Sequence, residues 1–216
     1  MKGLIIKDLL TVINNGKGLL LMMTILAVAI VPTQDLASFV ITGIAICSMM
    51  SITSFSIDHQ SEWEKFALTF PIKRQDIAKN KFITLVVFVL IGVILSTIIG
   101  GLIALIFGKI PTLNASFFSE FASFIALGVL LSLIFGTNSI VMLFKFGAEK
   151  TRIYLFVSYA VPGAIVAFIF SKLSEMGIVL TQQTILKLIA FSPIFVIIWM
   201  LIGYMLSARI MMKKEY

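Results

Sequence analysis

Six stretches of almost unbroken apolar residues divide the sequence, at 18–31, 36–57, 82–108, 121–144, 153–171 and 188–208. A helix needs about 20 apolar residues, range about 17–25, to cross the hydrocarbon core of a bilayer. Five of the stretches meet that length as they stand. The first falls short unless its helix runs on into Asn15 or Gln34, with Lys17 reaching back towards the headgroups. The pattern therefore predicts an all-α integral membrane protein with six transmembrane helices at about 17–34, 36–57, 82–108, 121–144, 153–171 and 188–208. An amphipathic segment at 1–16 precedes them, and residues 1–216 form a single transmembrane domain.

The polar positions between the stretches set the orientation. Lys and Arg are retained on the cytoplasmic side of a membrane. Lys2, Lys7 and Lys17 precede the first stretch, and Lys65, Lys73, Arg74, Lys79 and Lys81 follow the second. Lys145, Lys150 and Arg152 follow the fourth, and Arg209, Lys213 and Lys214 follow the sixth. The other side holds only Lys109, Lys172 and Lys187. Both termini are thereby expected in the cytoplasm.

Composition narrows the class. Hydrophobic residues make up 60% of the 216 and charged residues 12%, against about 25% charged in ordinary soluble domains. The net charge of +7 is spread between apolar blocks, as in inner-leaflet anchors beside anionic lipid. It is not gathered on a soluble face with interleaved aromatics, so nucleic acid is excluded as a partner. Cys47 is the single cysteine and is read as a packing residue. The first stretch ends at Pro32-Thr33-Gln34-Asp35 without a small-x-small cleavage site and is read as a retained helix.

Chemistry-bearing motifs are sparse. Gly16-Lys17-Gly18 and Gly108-Lys109-Ile110 lack the spacing and the hydroxyl residue of a phosphate-binding loop, so the chain is not expected to hold ATP. His59 has no second histidine for a zinc site and is read as solvated. The spans hold no firmly interior ionisable residue, which counts against a proton- or ion-coupled carrier. No catalytic, cofactor or metal residue is assigned.

The longest polar segment, 58–81, carries the most information. Within it Trp63, Phe66, Ala67 and Phe70 recur at i, i+3, i+4 and i+7 and predict one apolar face of a short helix along the membrane surface. Ser61 and Glu64 have capping-box spacing, and Pro71 halts the pattern. Such a helix either joins two spans or docks a cytoplasmic partner.

The string Asp58-His59-Gln60-Ser61-Glu62-Trp63-Glu64-Lys65-Phe66-Ala67-Leu68-Thr69-Phe70-Pro71-Ile72-Lys73-Arg74, followed by Lys81, resembles the signature of the short membrane subunits of ABC-2 type transporters. Ile6-Lys7-Asp8-Leu9 is similar to that family's opening. His59 and Glu62 depart from it, standing where an acidic residue and a glycine are expected. In size the chain is similar to permeases that export phenol-soluble modulins, small amphipathic cytolytic peptides. The resemblance implies a permease of an ATP-driven exporter, with the surface helix acting as a coupling helix between helices 2 and 3. Asp58, Glu62, Trp63, Glu64, Phe66, Phe70 and Arg74 would then contact an ATP-binding-cassette subunit. ATP and magnesium would reside in that partner, a second permease chain would complete the assembly, and membrane lipid and an amphipathic peptide cargo would be its other partners. The implied location is the plasma membrane of a bacterium. The alternatives are a channel or secondary carrier not driven by ATP, or a membrane assembly factor.

Other polar positions fall inside the spans. Gly92, Ser96, Gly100, Ala104 and Gly108 form a small-residue stripe that suits close helix packing or, alternatively, a translocation path. Ser48, Ser51, Thr53 and Ser54, with Thr137, Asn138 and Ser139, are the main intrusions; Ser51, Ser54 and Asn138 are candidates for a translocation path or for helix packing, and Asn138 is expected to face protein or a cavity. Pro162-Gly163 and Pro193 are expected to kink their helices. The outer segment 171–187 is either a re-entrant helix or an ordered loop.

Overall fold

The computed structural model describes residues 2–14, 16–61, 63–67, 69, 73–109, 115–175 and 182–213. For 2, 64–65, 115–116, 148–167, 169–170, 173–175 and 182–191 it describes the backbone only. The elements run α1 Lys2–Asn14, α2 Gly16–Thr33, α3 Leu36–Gln60, α4 Trp63–Ala67, α5 Arg74–Ile106, α6 Ala115–Glu175 and α7 Gln182–Lys213. Every regular element among the described residues is helical. In hydrocarbon only a helix or a closed barrel satisfies each backbone donor and acceptor internally.

Among the described residues, five helices are long and apolar enough to cross a membrane: Gly16–Thr33, Leu36–Gln60, Arg74–Ile106, Phe117–Gly147 and Ser192–Lys213. The first reaches its length as expected, by extending the short apolar block at both ends. The expected span at 153–171 lies in the helical backbone of α6, and most of its side chains lie outside the described residues.

Two boundaries differ from the sequence reading. The segment 58–81 is not one polar connection, since α3 continues through Gln60 and α5 already begins at Arg74. At 1.5 Å per residue α5 rises about 50 Å, well beyond the roughly 30 Å hydrocarbon core. Its first two turns therefore carry Lys79 and Lys81 past the apolar region while remaining helical. Ser61 serves the end of α3, while the side chain of Glu64, its expected capping-box partner, lies outside the described residues. The Ser61 hydroxyl donates to the Ile57 carbonyl at 2.8 Å and its N–H to the same oxygen at 3.0 Å, which closes α3.

α3 is the central helix and packs against α5 and α6. One core unites Val40, Ile44 and Phe55 of α3 with Phe82, Leu85 and Val89 of α5, Ile140, Leu143 and Phe144 of α6 and Met211 of α7. Phe55 meets Phe144 edge-on with ring centroids 5.0 Å apart. A second core takes Leu19, Met23, Ala27 and Val31, every fourth residue of α2, against Phe39 and Cys47 of α3 and Ile103 and Ala104 of α5. Cys47 is a packing residue, its thiol 3.8 Å from the Met23 sulfur.

The small-residue stripe of α5 is a packing seam against α3. A Cβ on Gly92 would lie 2.8 Å from the Cys47 Cβ and 3.2 Å from the Ile44 Cα, and one on Gly100 would lie 2.7 Å from Phe39 and Leu36 carbons. Buried Ser96 faces Gly43, and Ala104 is buried too. Gly108 lies outside the seam, beyond the end of α5, where its φ of 65° suits glycine. Gly92→Leu is therefore expected to destabilise the fold by about 1–3 kcal/mol through overpacking. Gly101→Leu, where a Cβ would meet nothing within 4 Å, is the control. Thermal melting of the two variants in detergent checks the difference.

α6 is two arms joined at Gly147, whose φ of 76° and ψ of 173° are not helical. That break, and not Pro162, separates the arms, and Pro193 stands within the continuous α7. In the outer segment, helix covers 171–175 and resumes at Gln182, while 176–181 lie outside the described residues.

Candidate functional site

α1 is too short to cross a bilayer and lies at the end of the bundle where α3 finishes and α5 starts. Ile6, Leu10 and Ile13 are exposed along one of its faces, whereas Leu4 and Asp8 are buried. A carboxylate with 0% exposure is costly unless paired and fully hydrogen-bonded. Asp8 meets both conditions.

Its Oδ1 accepts from Ser54 Oγ at 2.9 Å and from Lys81 Nζ at 3.1 Å, and Lys7 Nζ lies 3.1 Å away. Its Oδ2 accepts from Asn80 Nδ2 at 2.8 Å and Thr84 Oγ1 at 3.2 Å. Lys81 directs its ammonium to Asp8, to Ser54 Oγ at 3.1 Å and to Asp58 Oδ2 at 2.6 Å. Asp58 in turn receives Lys7, with 2.6 Å to Oδ2. Two carboxylates thus face two ammoniums, and the buried cluster carries no net charge. Burial pushes the Asp8 carboxyl up, but the Lys81 and Lys7 ammoniums outweigh it and hold the pKa below the ordinary carboxylate value. The group is ionised at neutral pH.

The cluster joins four elements. Asp8 and Lys7 come from α1, Ser54 and Asp58 from α3, and Asn80, Lys81 and Thr84 from α5. Trp63 of α4 closes it, because the Lys7 ammonium sits 4.7 Å from the centre of the Trp63 ring, within cation–π range.

This geometry revises the expected faces of the coupling segment. Trp63 is half-buried and packs on the main core, Ala67 is fully buried, and Phe66 is 54% exposed. The i and i+4 residues point inward and i+3 outward, so the expected single apolar face is divided between the bundle and its surroundings. Phe66 remains beside Trp63, with centroids 5.4 Å apart. Asp58, expected to reach a partner, is turned inward by its two lysines. Arg74 directs Nη1 to the Met212 carbonyl at 3.3 Å and ties the start of α5 to the end of α7. Glu62 and Phe70 lie outside the described residues, as does the side chain of Glu64. His59 is exposed on the last turn of α3, as a solvated residue should be.

Ser54, expected in a path or a packing seam, is instead a relay that donates to Asp8 and accepts from Lys81. Ser51 is buried with no hydrogen-bond partner among the described residues. Asn138 faces protein, accepting from Trp199 Nε1 at 3.1 Å across the α6–α7 contact.

Lys7, Asp8 and Lys81 stand in the stretches that carry the family resemblance, but nothing in the sequence pattern brought them together as one buried cluster. The available signals were an acidic residue on an otherwise apolar helix face and the group Asn80, Lys81, Thr84 at helical spacing. No grouping of three His, Cys, Asp or Glu among the described residues could hold a metal ion. The cluster holds helices together and offers no nucleophile or acid–base pair facing a substrate.

The opposite end has a different character. A cavity of about 470 Å³ there is lined by Asp35, Lys109 and Glu120 above Phe117, Phe121 and Phe124. The Lys109 ammonium is bonded to the Pro32 carbonyl.

Among known proteins, the family model described as ABC-2 family transporter protein matches residues 3–212. No curated protein and no solved structure matches the chain.

Proposed function

The chain belongs to the ABC-2 family of transporter proteins, and from that membership we propose that it is the permease of an ATP-driven exporter whose α4 couples an ATP-binding subunit to the spans. A permease of this family is a membrane component of transport and associates with an ATP-binding-cassette subunit. The finer reading rests on one observation. Trp63 lies between exposed Phe66 and the Lys7 ammonium of the buried cluster, so a push on α4 reaches α1, α3 and α5 together. Six spans are few for enclosing a path, so two permease chains pair and recruit two ATP-binding subunits, which carry ATP and magnesium. ATP binding draws those subunits together, and α4 passes the movement inward.

The cargo in this reading is a small amphipathic peptide, entering from the inner leaflet. The absence of unpaired buried charge among the described residues of the spans supports it, as does the resemblance in size to permeases that export phenol-soluble modulins. Reconstitution with the ATP-binding subunit tests the reading. Amphipathic helical peptides are expected to raise ATP hydrolysis and to accumulate inside inside-out vesicles, and a hydrophilic solute that did so in their place would overturn it.

Orientation has its own test. Exposed Lys73, Lys79, Lys145, Arg209 and Lys213 belong to the end that carries the cluster, and the bias of basic residues supports a cytoplasmic position for that end. In a Cys47→Ser background, Lys109→Cys is expected to react with an impermeant thiol reagent on intact cells, and Lys213→Cys only after permeabilisation. The reverse pattern would invert the topology.

A further inference from the structure

Beside the charge cluster runs a groove of about 530 Å³ between α1, α2, α3 and α5, its walls formed by Leu9, Ile13, Leu20, Met50, Ile91 and Leu95. The lining is apolar except at one end, where exposed Lys17 stands at the start of α2. We propose that this groove binds an anionic glycerophospholipid of the inner leaflet, one acyl chain lying in the groove and the phosphate meeting Lys17.

Charge, depth and size point to that occupant. Lys7 and Lys81 are committed to Asp8 and Asp58, whereas Lys17 has no carboxylate partner among the described residues. Its ammonium is thus available to an anionic headgroup, the class of lipid that attracts basic residues at the cytoplasmic surface. The α5 wall of the groove runs from Phe88 to Leu95, seven to fourteen residues beyond Lys81, about 10–21 Å along the axis and inside the roughly 30 Å hydrocarbon thickness. That wall therefore stands at the depth of acyl chains, and exposed Lys17 at the end of the groove can reach back towards the headgroups. The groove volume falls within the roughly 300–1,000 Å³ of small-molecule sites.

The inference needs only the membrane placement of the chain and stands apart from the cargo and the ATP-binding subunit. Its test uses the full chain incubated with vesicles of equal phosphatidylglycerol and phosphatidylcholine, repurified in mild detergent and examined by native mass spectrometry. Phosphatidylglycerol is expected to be retained about fivefold over phosphatidylcholine, the preference that one basic residue at the surface supports. Lys17→Glu is expected to abolish the preference and Lys17→Arg to keep it. Leu20→Trp, filling the groove, is expected to cut retention of both lipids, whereas Ile94→Trp, on an exposed part of α5 outside the groove, leaves it unchanged. Positions 17 and 20 are exposed, and monodisperse elution of each variant confirms folding. Equal retention of the two lipids by the wild-type chain, or an undiminished preference in Lys17→Glu, overturns the proposal. So does retention of an added amphipathic peptide that Leu20→Trp blocks while lipid binding stays the same.

Discussion

Asp8→Ala is expected to destabilise the folded protein by about 3–5 kcal/mol, the usual cost of removing one partner from a buried ionic cluster. The lost attraction is only part of it. Lys81 is 4% exposed and would keep its charge with one carboxylate gone, while Ser54, Asn80 and Thr84 would lose their acceptor. The double variant Asp8→Ala with Lys81→Met is expected to recover part of the loss, because it removes the stranded charge as well. Thermal melting of the purified variants decides the matter. A single variant that melts with the wild type would show that the cluster does not hold α1 in place.

Acid adds a signed check on the same group. The Asp8 pKa is held below the ordinary carboxylate value, so its contribution is complete well above about pH 4. It disappears as pH falls through the lowered value. The melting difference between wild type and Asp8→Asn is therefore expected to be flat from pH 7 to 5 and to shrink only below about 4. Shrinkage already between pH 7 and 5 would mean that the carboxyl is not held down.

The second large effect is expected at the surface helix, where Trp63→Ala and Phe66→Ala should each weaken capture of the ATP-binding subunit. Aromatic anchors at protein interfaces typically cost about 2 kcal/mol or more on truncation, close to thirtyfold in affinity. The two residues separate docking from folding. Trp63 packs on the core and on Lys7, so its loss also lowers the melting temperature. Phe66 is mostly exposed, so its loss should stay within about 0.5 kcal/mol of wild-type stability while partner capture falls. Glu64→Lys is expected to weaken capture in a salt-dependent way. Should Phe66→Ala and Glu64→Lys both retain wild-type amounts of partner and unchanged peptide-stimulated ATP hydrolysis, α4 is not the docking element.

The membrane fold was legible because long apolar runs have a single solution in lipid. The reach of α2 beyond its short block followed from the same length requirement. The stripe from Gly92 to Ala104 could be read as a packing seam because a missing Cβ has a direct geometric consequence. The charge cluster was not legible. Asp58 and Lys81 look like loop residues in a hydropathy profile, which records the cost of each charge singly and is blind to a partner far away in the chain. Lys7 and Asp58 are separated by 51 positions, and Asp8 and Lys81 by 73. The faces of α4 were divided wrongly for a related reason. A five-residue helix at the membrane surface has apolar matter on more than one side, and periodicity does not distinguish a neighbouring helix from a partner or from lipid.

The ladder of separations within the cluster also sets an order of events during synthesis. Asp8 leaves the ribosome well before any partner outside its own helix exists, so the nascent α1 must wait at the interface with its carboxylate in water. Ser54 and Asp58 arrive first, 46 and 51 positions after Asp8 and Lys7 respectively, and give α1 a provisional hold on α3. Asn80, Lys81 and Thr84 follow, at 72 to 76 positions from Asp8, and only then can the carboxylate be buried. At about 5–20 residues per second that interval is roughly 4–15 s. Stalled chains that stop short of Lys81 should therefore expose α1 to protease, and chains that extend beyond Thr84 should protect it.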